Sequence, residues 1–121
     1  MVKFFISGIG VDMEEVKRFR GLPYKSQRSF YEKIFTAREI KYCLSKADPY
    51  PHFAARFAAK EAVIKAVGKS TFHIKSIEIL NNKKGKPEAK IKDRKAKTKN
   101  KLMVSLSHTK DHAVAIALWL N

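Results

Sequence analysis

Between residues 53 and 67 the chain carries a helix-length segment with almost no polar face. On a 3.6-residue period Phe53, Phe57, Val63, Ile64 and Val67 gather on one flank, and Ala55, Ala59, Ala62 and Ala66 form a small-residue stripe on another. A helix apolar nearly all round is buried, so the rest of the chain must wrap it. Its four charges, Arg56, Lys60, Glu61 and Lys65, then need a reason to be there. Glu61 is the sharpest case, with Phe57 one turn before it and Ile64 almost one turn after. An i,i+4 ion pair from Glu61 to Lys65 is one answer, worth roughly 0.2 to 0.5 kcal/mol if exposed. A functional site is the other.

The segments on either side say what wraps it. Residues 2–11 are β-branched, aromatic and Gly-rich and read as a first strand, with Gly8 and Gly10 marking a bulge or a close backbone approach. A short helix is expected over residues 13–20, where Asp12 followed by Glu15 has the form of a capping box. A carboxylate where a strand feeds a helix is also placed to hold a metal. Gly21-Leu22-Pro23 breaks the chain, and residues 26–35 make another short helix with Phe30 and Ile34 inward. Thr36 and Glu39 form a second capping box, opening a helix to about residue 46 with Ile40, Cys43 and Leu44 buried. Asp48-Pro49-Tyr50-Pro51 stops that helix and starts the central one, which ends at Gly68.

Beyond Gly68 the period changes from 3.6 to 2. Ile74, Ile77 and Ile79 mark a strand, residues 81–87 a turn, and a weaker strand runs through Ile91. The lysine-rich run over residues 90–101 reads as a solvated loop or an anion-binding arm. Residues 102–108 and 113–120 alternate and form a hairpin. The order of strand, helices and strands gives an α+β class, one long buried helix and short helices packed on a largely antiparallel sheet, within a single domain of 121 residues.

A formal net charge of +15 calls for an anionic partner: nucleic acid, acidic protein, polyphosphate ligand or membrane surface. The one cysteine, Cys43, forms no internal disulfide and reads as core, and no His/Cys spacing suggests zinc. The first residues lack a signal pattern, and no run approaches the roughly 18 apolar residues of a membrane span, which fits the cytoplasm.

Asp12 and Glu61 lie on elements expected to pack together, each near a lysine. Magnesium takes one or two protein carboxylates and fills its shell with water and substrate phosphate oxygens, so the pair suggests phosphate chemistry in a basic protein. No Walker A loop, dinucleotide fingerprint or nucleophile elbow is present. His52 and His73 fall at element ends and read as surface residues. Ser107, His108 and Thr109 cluster where a strand ends, either as a turn cap or as donors to a phosphate.

Three blocks then carry a resemblance: Gly8-Ile9-Gly10-Val11-Asp12, Phe57-Ala58-Ala59-Lys60-Glu61-Ala62-Val63-Ile64-Lys65-Ala66, and Val104-Ser105-Leu106-Ser107-His108-Thr109. In this order they resemble the signature blocks of the 4′-phosphopantetheinyl transferases, in particular the small single-repeat holo-acyl-carrier-protein synthases. The similarity extends over residues 6–120.

The resemblance implies that Asp12 and Glu61 hold Mg²⁺ against the pyrophosphate of coenzyme A, with Lys60 and Lys65 beside the phosphates and Lys65 the closer. Asp12, Glu61 and Lys65 would be the catalytic set. Arg56 would also bind coenzyme A, and the turn of Ser107, His108 and Thr109, with Gly85, Lys86 and Pro87, would meet the nucleotide end, contributed by a neighbouring subunit of a homotrimer. Arg18, with Lys17 and Arg28, would meet the acidic helix of acyl carrier protein. The implied reaction transfers phosphopantetheine to a carrier serine, releases 3′,5′-ADP and supports fatty acid biosynthesis, with no nucleic acid or membrane partner. The segment Gly68-Lys69-Ser70-Thr71 is shorter and poorer in glycine than the loop similar enzymes carry there. The rival reading is a non-enzymatic, basic RNA- or ribosome-binding module, which leaves Glu61 unexplained.

Overall fold

The computed structural model describes residues 5–68, 73–92 and 101–121. Strand β1 (Ile6–Glu15) leads into four helices, α1 (Val16–Arg20), α2 (Arg28–Ile34), α3 (Ala37–Leu44) and α4 (Pro49–Val67). Strands β2 (Ile77–Asn81), β3 (Pro87–Ile91), β4 (Lys101–His108) and β5 (His112–Leu120) follow. They form two antiparallel sheets, one of three strands in the order β1-β5-β4 and a two-stranded β2-β3 ribbon. The α+β class read from the sequence is the one observed, with the strands divided between two sheets.

The central helix is buried along most of its length and lies across the three-stranded sheet. Two glycines make that contact possible. A Cβ on Gly8 would fall 1.8 Å from the Ala66 carbonyl oxygen, and one on Gly10 would fall 2.0 Å from that of Ala62. Any side chain at either site would drive strand and helix apart, so the alanine stripe and the two glycines together set the spacing. Beneath the helix Ala58, Ala59, Ala62, Val63 and Ala66 pack with Val104, Ala115 and Ala117. The N-terminal half instead joins an aromatic cluster of Phe19, Tyr31, Phe35, Phe53 and Phe57. Cys43 lies within that cluster, where burial pushes its thiol up to about 12. Asp48 caps α4 by accepting from the Tyr50 amide, and Gly68 closes it at φ 78°.

The chain differs from expectation at the first strand. It does not stop at Asp12 but pairs with β5 as far as Glu15 opposite His112. Asp12 is therefore a strand residue opposite Ala115, not an N-cap, and the first helix starts three residues later than the expected residue 13. Its entry is fixed by tertiary pairing, with the Val16 amide donating to the Asp111 carbonyl at 2.9 Å. The second capping box is present, the Thr36 hydroxyl accepting from the Glu39 amide and the Glu39 carboxylate from the Thr36 amide. Ile74 belongs to a 3-10 turn that precedes β2. The lysine run over residues 93–100 and the segment 69–72 lie outside the described residues.

The sheet's two faces differ sharply. Gly10, Ala117 and Val104 stand side by side under α4, while Val11, Ile116 and Ser105 stand side by side on the opposite face. On that face Ile9, Val11 and Met13 are 62%, 56% and 66% exposed, and Met103 and Ile116 are also uncovered.

Candidate active site and nucleotide end

The strand's extension to Glu15 sets the first half of the site. With side chains alternating, Gly8, Gly10, Asp12 and Glu14 share the face turned towards α4. Lys65, exposed near the end of α4, reaches back to this strand, donating to the Val11 carbonyl at 3.0 Å and approaching Asp12 Oδ1 at 3.4 Å. Asp12 Oδ2 is buried and has no hydrogen-bond partner among the described residues. Glu61 stands one turn before Lys65 on the same side of the helix and is half-buried. The expected ion pair between Glu61 and Lys65 is not the one formed, because Lys65 is engaged by β1. Among the described residues no cation pairs with Glu61.

Glu14 escaped the sequence reading, because the chain was expected to be helical there. Extending the period-2 reading by three residues would have placed it on the face of Asp12. Burial first, then the hydrogen bond and charge of Asp12, hold the Glu14 carboxyl above the usual carboxylate range, while Arg18 at 3.4 Å opposes them.

Lys60 corrects the sequence expectation. Its side chain is 0% exposed and lies 2.7 Å from the equally buried Glu39. The ammonium also donates to the carbonyls of Ile77 at 2.6 Å and Ile34 at 2.9 Å. Burial holds the amine below its ordinary range, opposed by the charge of Glu39. Lys60 is spent on tying α4 to α3 and β2 and does not face a ligand, because every donor direction is used inside the fold.

The nucleotide-end candidates gather elsewhere on α4. Arg56 is 4% exposed, stacks 4.1 Å over the Tyr42 ring and donates from Nη2 to Asn81 Oδ1. His108 lies against His52, ring centroids 4.8 Å apart, so His52 is half-buried and not the surface residue expected. Thr109 serves its turn, its hydroxyl accepting from the amides of Asp111 and His112, while Ser107 is exposed. Gly85, at φ 83°, forms the β2-β3 turn with Lys86 and Pro87, and Asn82 accepts from the Lys86 amide. Tyr42, Lys46 and Asn81 were not singled out from the sequence. Their pattern is invisible until α3 and β2 are packed together.

The carrier-facing candidates lie on and after α1. Arg18 sits 5.1 Å over the Phe57 ring and pairs with Glu14, Lys17 is exposed beside Glu15, and Arg28 stacks at 5.6 Å on Tyr24. A cavity of about 710 Å³ lined by Tyr24, Phe35, Ile40 and Leu44 touches none of the site residues.

Comparison with known proteins identifies the family. The profile of the 4′-phosphopantetheinyl transferase superfamily matches residues 8–117. A holo-acyl-carrier-protein synthase of Thermodesulfovibrio yellowstonii is 45% identical over 93% of this chain and 97% of its own. One of Chlorobaculum parvum is 43% identical over 91% and 95%. The crystal structure of a holo-acyl-carrier-protein synthase from Bacillus anthracis, in complex with coenzyme A (3′,5′-ADP), superposes with a TM-score of 0.78 at 32% identity, covering 96% of this chain and 97% of that one. The chain therefore belongs to the 4′-phosphopantetheinyl transferase superfamily, among its holo-acyl-carrier-protein synthases.

Proposed function

We propose that the chain, acting as one domain in the cytoplasm, transfers 4′-phosphopantetheine from coenzyme A to a serine of apo acyl carrier protein, releasing 3′,5′-ADP in support of fatty acid biosynthesis. The observation that carries the reading is the buried Asp12 Oδ2 beside Lys65, with Glu61 one turn before that lysine on the helix, both without a partner among the described residues. A buried carboxylate oxygen without a partner is costly by itself and suits a cation. The residues fit Mg²⁺, which needs only one or two carboxylates, and among the described residues no larger ligand cluster competes.

Asp12 and Glu61 would hold the ion, and when bound it would neutralise charge on the pyrophosphate oxygens. Lys65, free to leave Asp12 because it is exposed, reaches the same oxygens as negative charge grows on the leaving nucleotide. The serine oxygen forms a bond to the β-phosphorus, the bond from that phosphorus to the bridging oxygen breaks, and 3′,5′-ADP departs with the electron pair. Glu61, or a water it orients, takes the serine proton. Arg18 meets the acidic carrier, aided by the positive field of the whole chain.

Helix geometry supports a site shared between subunits. Arg56 and Lys65 are nine residues apart on α4, about 180° around it. One molecule of coenzyme A spanning both ends is better served by the metal end of one subunit and the nucleotide end of the next. The uncovered row of Ile9, Val11, Met13 and Ile116 gives such subunits an apolar surface to share, and a homotrimer is expected. Native mass spectrometry should give three times the chain mass, and a monomer at micromolar concentration would refute it.

The activity is tested by incubating the chain with coenzyme A, Mg²⁺ and several apo carriers. Each carrier should gain one phosphopantetheine by mass, and Arg18→Glu should slow the gain while leaving coenzyme A binding intact. No gain with any carrier, together with tight nucleic-acid binding that persists at high salt, would replace this reading with that of a basic binding module.

A further inference from the structure

The apolar pattern of α3 calls for a buried Leu44, yet the structure leaves that side chain 42% exposed. Ala37, Ile40, Lys41 and Leu44 follow at three- and four-residue spacing and share one face of the helix. That face turns to the cavity of about 710 Å³ between α2, α3 and the 3-10 turn Ile74–Ser76, which the fully buried Phe35 and the half-buried Tyr24 also line. A second cavity of about 420 Å³ adjoins it, with Ala37 and Lys75 lining both. Together they make one groove, apolar at the first end and polar at the second.

Much of the polar end is spent inside the fold. The Thr36 hydroxyl donates to Glu78 at 2.6 Å, the Ser76 hydroxyl donates to the His73 carbonyl at 2.6 Å, and Lys92 pairs with Glu78 at 3.2 Å. Lys41 and Lys75 are different. Both are exposed, and among the described residues neither pairs with a carboxylate, not even with Glu32 on the same rim. His73 Nδ1 accepts from the Lys75 amide at 3.4 Å, which leaves Nε2 to carry the ring proton and donate it outward. An apolar trough that ends in unpaired cations fits an amphipathic anion. Glu32 beside those cations opposes a second negative charge, which favours a carboxylate over a phosphate dianion.

We propose that this groove binds a single-chain fatty carboxylate. The acyl chain lies along Phe35, Ile40 and Leu44, and the carboxylate meets Lys75, Lys41 and His73. The site shares no residue with the metal end, the nucleotide end or the carrier-facing residues, and it does not depend on the transfer activity.

The test is titration calorimetry on the full chain with octanoate, decanoate and dodecanoate, each kept below the concentration at which it forms micelles. One molecule should bind per chain, and each two-carbon extension should tighten binding by about threefold to tenfold, the gain expected when methylenes leave water. Decanol and decyltrimethylammonium should bind at least about tenfold more weakly than decanoate, and decyl phosphate no more tightly. Lys75→Glu should weaken decanoate by about tenfold, whereas the same charge change at the exposed Lys110 of the hairpin turn should leave it unchanged. Leu44→Asp should weaken every chain length.

Equal affinity for decanol overturns the proposal by reducing the groove to a plain apolar surface. An equal loss in Lys110→Glu overturns it by reducing the binding to the pull of the net charge. A change of oligomeric state in Leu44→Asp does so by assigning the groove to a second copy of the chain. Should a variant fail to fold, amide shifts of the parent chain decide. On adding decanoate they must gather at Ile40, Leu44 and Lys75, and shifts confined to the exposed sheet face or to the surroundings of Asp12 refute the site.

Discussion

Asp12→Asn and Glu61→Gln should each lower phosphopantetheine transfer by about a hundredfold to a thousandfold, the loss typical when a charge-stabilising group at a reacting centre is removed. Neither change should unfold the chain. Asp12 is partly exposed, its Lys65 partner is 55% exposed and is solvated once released, and among the described residues Glu61 has no ion pair to lose. Stability should stay within about 1 kcal/mol of the parent in urea denaturation. Removing the Asp12 charge also relieves Glu14, whose carboxyl should then titrate closer to its ordinary range. The metal assignment has a readout apart from turnover: Mn²⁺ binding followed by electron paramagnetic resonance should weaken in both variants. Near-parental transfer in either variant would remove that residue from the reacting centre.

Lys60→Met should lower the free energy of unfolding by about 3 to 5 kcal/mol, the cost of breaking a buried ion pair from one side. The variant leaves Glu39 at 0% exposure with only the amides of Thr36 and Ile79 to satisfy it, and takes the donor from the carbonyls of Ile34 and Ile77. Methionine fills much of the space but supplies no donor. The measurement is a shift in the urea midpoint at unchanged slope. A loss under about 1 kcal/mol would show that the pair is dispensable. Weakened coenzyme A binding in a chain of unchanged stability would return Lys60 to the ligand site.

The pair of outcomes separates two lysines that the sequence presents alike. Lys60 and Lys65 both sit in the same motif on the same apolar helix, and both looked like phosphate ligands. Five residues on an α-helix turn a side chain by about 140°, which sends one lysine into the interior beneath α3 and the other to the rim beside β1. Nothing local distinguishes them, because the deciding partner of Lys60 is Glu39, whose role as a capping residue was legible and whose second carboxylate oxygen, bonded to the Ile79 amide, was not. Asp12 illustrates the same limit. The Asp12 and Glu15 spacing is a genuine capping pattern, but nine residues of β5 offer hydrogen bonds that a short helix cannot match, and the strand runs on.

The sequence by itself determined the buried central helix, its Asp48 and Gly68 ends, the Thr36 capping box, the closing hairpin and the family, because each is written in residues close together along the chain. Apolar period, cap chemistry and motif order need no knowledge of what lies across the core. Tertiary structure alone decided which charge on that helix is satisfied within the fold and which is left open. It buries Lys60 against Glu39, draws Lys65 to Asp12, and leaves Asp12 Oδ2 and Arg56 Nε without partners among the described residues. The physical reason is that the free energy of a charge depends on what surrounds it in space, and strands and helices distant in sequence supply those surroundings.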